Sequence, residues 1–261
     1  MSSSIVTPLD VKLMNATAWV MLAGFCMLCG VAAVRWAVRL PVFGIAGITV
    51  SGEVSHNSVH NLRANVAPHI GSTFFTVDLI QVRGAFESLP WVRQALVRRD
   101  FPNRLLVKLQ EHQAVAYWGS ESDSQLINSY GEVFEANGGE VEQDMLPRLI
   151  GPEGHSAEVL SMYRTLRPLY LALGLELEQM ELTGRGSWSG HLDNGADIEM
   201  GRGSIDEIAA RVQRFLKTLT PVAARYGRYA NAVESADLRH DNGYAVKLRG
   251  VSTTVAEVPK K

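Results

Sequence analysis

The sequence predicts an α+β protein in three parts: a single transmembrane helix near the N-terminus, a small domain of order β-α-α-β-β, and a larger mixed β domain with a long helix and a hairpin at its C-terminal edge. Three observations carry this. Ala16 to Val34, ATAWVMLAGFCMLCGVAAV, is an uncharged apolar run with no second run like it. Beyond it, alternating segments interleave with apolar residues at helical spacing. Two Asp-Asn-Gly tripeptides, at 193–195 and 241–243, each lie between strand-like runs and read as hairpin turns.

At about 1.5 Å rise per residue the apolar run covers roughly 28 Å, close to the ~30 Å hydrocarbon core of a bilayer. It leads into Arg35-Trp36-Ala37-Val38-Arg39, which is not a small-residue cleavage site. Cys26 and Cys29 follow Gly24-Phe25 and Met27-Leu28, so neither has the small residues that precede a lipoprotein cysteine. The run is therefore read as an uncleaved anchor, with Trp19 and Trp36 as interfacial aromatics. The expected organisation is a tail over 1–15, a span over 16–38, a small domain over 45–113, a β domain over 114–250 and a disordered tail over 251–261. Lys12 precedes the span while Arg35 and Arg39 follow it, so positive charge alone does not decide which side the large C-terminal part occupies.

The chain has 261 residues and a formal net charge of −2, which gives no electrostatic footprint for nucleic acid. Both cysteines lie inside the span. Their C-x-x-C spacing would be redox-active in water, but thiolate chemistry needs solvent that lipid excludes.

After the span, Pro41 to Gly47 reads as a linker and Ile48 to Gly52 as a strand. Ser58 to Val66 reads as a helix stopped by Pro68, and Gly71 to Val77 as a turn holding an aromatic pair. Asp78 caps a second helix, with Gln81 three residues on and Leu79, Val82, Phe86 and Leu89 on its apolar stripe. Pro90 ends that helix. Val92 to Arg99 and the stretch with Leu105, Val107 and Leu109 on one face read as a strand pair joined at Pro102-Asn103.

In the second half, Tyr130-Gly131 separates two short strands. Ser156 is expected to cap a helix that Pro168 kinks. Leu175 to Thr183 reads as a strand, and Trp188 to Leu192 with Ala196 to Met200 as a hairpin. Ser204-Ile205-Asp206-Glu207 is a capping box opening a long helix to Tyr226, whose Arg211, Arg214 and Lys217 are expected to form a solvated face. Val233 to His240 and Tyr244 to Leu248 form the last hairpin.

Several of these stretches resemble the FtsQ/DivIB family of bacterial cell division proteins, POTRA-containing and of the Gram-negative type. Phe74-Phe75-Thr76-Val77-Asp78, Leu89-Pro90-Trp91-Val92-Arg93 and Val97-Arg98-Arg99-Asp100-Phe101-Pro102-Asn103-Arg104-Leu105 are similar to its POTRA module. Glu111-His112-Gln113-Ala114-Val115-Ala116, Ile127-Asn128-Ser129-Tyr130-Gly131-Glu132-Val133-Phe134 and Ala236-Asp237-Leu238-Arg239-His240-Asp241-Asn242-Gly243-Tyr244-Ala245-Val246 continue the pattern. The likeness runs from the anchor to about Arg249. It implies a cytoplasmic tail, an inner-membrane span and a periplasmic part at the division septum. It also implies a scaffold without catalysis or cofactor. The β domain of such proteins binds the coiled-coil partners FtsB and FtsL, and the POTRA module contacts upstream components such as FtsK. A POTRA-type periplasmic chaperone or secretion component is the alternative reading; that class usually carries repeated modules and a barrel.

An ectodomain ending in a hairpin invites β-augmentation, in which an edge strand offers unpaired backbone groups to an extended segment of a partner. The expected edge runs from Leu238 to Leu248. By motif match the partner-binding candidates are Arg239, His240, Asn242, Gly243, Tyr244 and Leu248, with Arg202 as a further charge contact. The family pattern has aromatics where this chain has His240 and Leu248.

Patterns that would indicate catalysis or metal binding are incomplete. His56 and His60 stand four apart with no Glu in the zinc-protease position and no nearby carboxylate that completes a site. Gly186-Ser187-Trp188-Ser189-Gly190 has Trp188 where a nucleophile elbow needs its serine. Gly201-Arg202-Gly203-Ser204 lacks the third glycine and the lysine of phosphate loops and is better explained as a helix cap. Glu176 and Glu178 alternate with leucines as the wet face of a strand.

Overall fold

The computed structural model describes residues 9–52, 55, 56, 62, 66–71, 73–120, 125–136, 146–240 and 243–252. The chain divides into two compact units, Met1–Glu111 and His112–Lys261. The expected helix over 58–66 and the tail beyond 252 lie almost wholly outside the described residues, as do Asp241 and Asn242.

The first unit opens with α1, Leu9–Ala37, 29 residues with none buried. It starts well before the apolar run, because nothing between Leu9 and Ala16 breaks a helix. It is long and apolar enough to cross a membrane. A three-stranded sheet follows, in the order β1-β3-β2. β1, Gly47–Gly52, runs parallel to β3, Arg104–Glu111, and β2, Val92–Asp100, runs antiparallel to it. α2, Leu79–Glu87, is capped by Asp78, whose carboxylate accepts from the N–H groups of Ile80 and Gln81. Its Val82 and Phe86 pack on Leu105, Val107 and Leu109, as the alternation of β3 requires. Gly52 sits at φ +109° with the Leu109 carbonyl where a Cβ would go, so only glycine ends β1 there.

Two local readings change. The segment after the span is not a free linker. The Thr73 hydroxyl donates to the Val38 carbonyl (2.6 Å), Phe74 N–H to Phe43 (2.8 Å) and Ala46 N–H to Asn103 (2.8 Å). And His56 finds a carboxylate: Glu111, buried at the end of β3, lies 3.2 Å from His56 Nδ1 and accepts from the N–H groups of Ser55 and His56. Fifty-five residues separate that pair, beyond any sequence-spacing argument. His60, its spacing partner, lies outside the described residues.

The second unit is one nine-stranded mixed sheet in the order β12-β11-β10-β9-β8-β7-β4-β5-β6. The strands are β4 Ala114–Trp118, β5 Gln125–Asn128, β6 Val133–Glu135, β7 Arg148–Ile150, β8 Leu177–Leu182, β9 Ser187–Leu192, β10 Asp197–Arg202, β11 Val233–Asp237 and β12 Ala245–Leu248. The pairs β4–β7, β7–β8 and β10–β11 are parallel and the others antiparallel. α3, Ser156–Leu171, packs on β7 and β8, and α4, Ile205–Arg225, on β10 and on α3. Trp188, Tyr170, Phe215 and Met162 are among the largest side chains of the shared core.

The capping box of α4 is present: Ser204 Oγ accepts from Glu207 N–H, and the Glu207 carboxylate accepts from Ser204 N–H. That backbone bond, more than the hydroxyl, holds the Glu207 carboxyl below its ordinary value. The cap of α3 differs from expectation. His155 is the capping residue, and Ser156 Oγ donates to the Gly131 carbonyl (2.7 Å), tying the helix to the β5–β6 turn. Gly131 lies at φ +85° against Ala157, too close for a side chain. α3 continues past Pro168 to Leu171.

Candidate partner-binding site

The C-terminal hairpin is the natural place to look, and the fold assigns its two strands different roles. β11 is interior, with β10 on one side and β12 on the other. Leu238 N–H also bonds inward, to the Glu199 carbonyl (2.7 Å). The expected edge from Leu238 to Leu248 therefore reduces to β12, which has β11 on one side and no described strand on the other. β11 is also shorter than the Val233–His240 run. The Asp237 carboxylate turns back onto Arg239, accepting from its N–H (3.0 Å), from Nε (2.9 Å) and from Nη2 (2.6 Å), which competes with strand extension. Those bonds from Arg239 hold the Asp237 carboxyl down at about 2.

Arg239 lies across the end of β10. Gly201 is at φ +81°, and a Cβ there would fall 2.9 Å from Arg239 Cγ. The glycine meets two needs at once: a left-handed backbone after the irregularity between Glu199 and Gly201, and room for the arginine stem. Beside it opens a hollow of about 880 Å³ lined by Arg185, Arg202, Arg211 and Arg239. Arg211 is committed to the fold, donating to the carbonyls of Met200 (3.2 Å) and Arg202 (2.6 Å). This corrects its assignment to a solvated helix face. Arg185 and Arg202 have no ion-pair partner among the described residues. Asp237, Glu199 and Glu207 are the carboxylates close by, and Asp237 is engaged with Arg239.

The other expected residues divide. Tyr244 faces inward in part: its hydroxyl meets Thr218 Oγ1 (2.8 Å) and its ring stands edge-on to Phe215 (5.0 Å), docking the hairpin on α4. Leu248 is only 5% exposed and belongs to the core, so an incoming chain would meet its backbone rather than its side chain. Val246 is half-buried, while Ala245 and Lys247 face solvent, with Lys247 paired to Glu234. His240 is exposed. Gly243 has open space around it, and Asn242 lies outside the described residues. Sequence reasoning missed Arg185 altogether; the Gly184-Arg185-Gly186 turn is remote from the hairpin in sequence, and only the β8–β9 register brings it to the hollow.

Comparisons with known proteins agree with this architecture. The family model described as POTRA domain, FtsQ-type, matches residues 43–112, and that described as Cell division protein FtsQ/DivIB, C-terminal, matches 116–239. Among curated relatives, the Cell division protein FtsQ of Burkholderia pseudomallei is 35% identical over 243 residues, covering 93% of this chain and 94% of that protein. Those of Thiomonas arsenitoxydans and Bordetella pertussis are 37% identical (94% of this chain, 89% of the relative) and 38% identical (83% and 84%). With an N-terminal apolar helix that fits a single-pass membrane protein, a POTRA domain and the C-terminal domain in order, the chain belongs to the FtsQ/DivIB family of cell division proteins.

Proposed function

We propose that the chain is an inner-membrane scaffold of the division septum, with its N-terminus cytoplasmic and both folded units periplasmic. It binds FtsB and FtsL by adding a strand of the partner to β12, and through them influences septal peptidoglycan synthesis. Contacts through the first unit and the span, with FtsK among the candidates, link it to earlier components. It works by binding rather than catalysis. The observation that carries the reading is β12 itself, a sheet edge; the hollow lined by Arg185, Arg202 and Arg239 opens two strands inward, at the end of β10. Backbone groups of the edge supply affinity, and the arginines select a segment with carboxylates flanking its strand.

The test is a calorimetric titration of the full chain in nanodiscs with the FtsB–FtsL ectodomain complex. Saturable binding, weakened in Arg239→Ala and Arg202→Ala, is expected. A photo-crosslinking residue at Lys247 should capture a partner strand. No saturable binding by the wild-type chain, or binding indifferent to both arginines with no capture at Lys247, overturns the proposal.

A further inference from the structure

The first unit exposes a cluster of aromatic rings where its chain leaves α1. Phe75 stands edge-on to both Phe43 (5.2 Å) and Phe74 (5.3 Å), and Phe74 to Phe101 (6.4 Å). Phe74 is buried, but Phe101 is 82% exposed, Phe75 48% and the neighbouring Val42 76%. These side chains come from three segments far apart in sequence that meet at one tip. A contiguous exposed apolar patch of this kind marks a surface that something covers.

Its position says what. The helical winding of α1 does not stop in a flexible linker: Val38, Arg39 and Leu40 N–H groups still bond back to Val34, Trp36 and Ala37. A single turn of chain then reaches Pro41–Phe43. The Thr73 hydroxyl bonds to Val38, one residue past the end of α1, and Phe74 and Phe75 follow directly. Arg99, beside the Phe101 turn, donates to the carbonyls of Phe74 and Val77 (2.8 Å each) and so locks two of the segments together. With α1 in a bilayer, these bonds set the rings within the depth of the headgroup layer, where aromatic side chains prefer to sit. Arg35, Arg39 and Arg104, with Asp100 as the opposing charge, give the same tip an excess of cations suited to anionic headgroups.

We infer that the Phe43–Phe75–Phe101 tip is a second membrane contact, seated in the headgroup layer of the bilayer that α1 crosses, so that the first unit rests on the lipid surface instead of swinging from a tether. The inference builds on the reading of α1 as a membrane anchor. Aromatic burial in the interface and cation attraction each add to the contact, and the hydrogen bonds to Val38 and Phe43 keep it in register with the span.

The test uses the full chain in nanodiscs of phosphatidylcholine and phosphatidylglycerol, with an environment-sensitive fluorophore on one cysteine at a time. Cys26 with Cys29→Ala reports on the span. In a Cys26→Ala, Cys29→Ala background, Phe101→Cys and Phe75→Cys report on the tip. Leu96→Cys serves as control: Leu96 is apolar and 61% exposed on the same unit, roughly 15 Å up β2 at the usual strand rise. Lipids carrying a nitroxide at the headgroup are expected to quench the labels at 101 and 75 several-fold more than the label at 96. Lipids with a deep nitroxide should quench the label on Cys26. If Cys26 is quenched and 101 and 75 are no more quenched than 96, the span stands and the inference falls. If Cys26 is not quenched, the anchor reading itself fails. Blue-shifted labels at 101 and 75 that lipid nitroxides do not quench would mean that protein covers the tip, which also overturns the inference.

Discussion

At one end of the nine-stranded sheet β6 is held by a buried amide: Asn128 accepts from the N–H groups of Tyr130 and Glu132 and donates to Glu132 and to His112, whose ring stacks on Phe134. The charges along that edge are Glu132 and Glu135, with the Arg164 guanidinium at the turn donating to the Ser129 carbonyl. At the other end β12 is held by apolar contacts, Leu248 in the core and Tyr244 on Phe215, and the hairpin's Lys247 and Arg239 are paired with Glu234 and Asp237. Both ends offer a strand edge among the described residues. A backbone edge is nearly blind to sequence, so what separates the two ends is the field around them. Under the function proposed above, an acidic segment is expected to favour β12 over β6. The lesson is that two similar edges can be told apart only by the side chains around them, and the arginines of the hollow, Arg185 from the β8–β9 turn and Arg202 from β10, lie inward of β12 rather than on it.

The strongest way to break this comparison is to remove each edge's anchor. Phe134→Ala and Leu248→Ala are expected to cost about 3–5 and about 2–5 kcal/mol in chemical denaturation. A negligible loss at Leu248 would mean that β12 is loosely held and that its edge is not a fixed template. Next in size is Gly201→Ala, which forces a side chain into a left-handed backbone and against Arg239. A loss of about 1–3 kcal/mol is expected, together with weaker partner binding. An unchanged affinity would remove Arg239 from the argument. Arg239→Ala alone should weaken binding roughly tenfold, the scale of one charge-assisted contact, while Glu135→Lys at the opposite edge leaves it unaltered. Equal effects at the two ends would erase the distinction.

The smallest effect is a titration. Asp237 has its carboxyl at about 2 in the folded chain against an ordinary value of 3.8. Its contribution to stability is therefore fully present above that ordinary value and is lost as pH falls from about 3.8 to about 2. In Arg239→Ala the carbon-detected NMR titration of Asp237 should move up toward 3.8, and the acid sensitivity in that window should shrink. An unmoved titration would show that the backbone N–H, not the guanidinium, sets it.

Legibility differed by kind of feature. The span, the Asp78 cap, the Ser204–Glu207 capping box, the alternation of Leu105, Val107 and Leu109 and the hairpin at 193–195 were all readable, because each depends on residues within a turn or two of one another. The Ser156 cap misled because its hydroxyl had a better acceptor, the Gly131 carbonyl, on a turn 25 residues earlier. Arg211 misled for the same reason: an amphipathic pattern shows which residues face away from the helix's own core stripe, not whether a strand end waits there. For the candidate site, the hairpin and Arg239 were visible, while the basic hollow was not.

What the sequence by itself determined was therefore local: one apolar run of bilayer length, helix starts, turn chemistry and the inward face of each strand, all governed by short-range sterics, capping and periodicity. Strand order was decided only in the folded chain. It placed β11 inside and β12 at the edge, turned Leu248 inward, gathered arginines from four separate segments into one hollow and brought three aromatic segments to the end of α1. The reason is that pairing between distant segments is set by burying all the apolar faces at once, and no single segment records that solution.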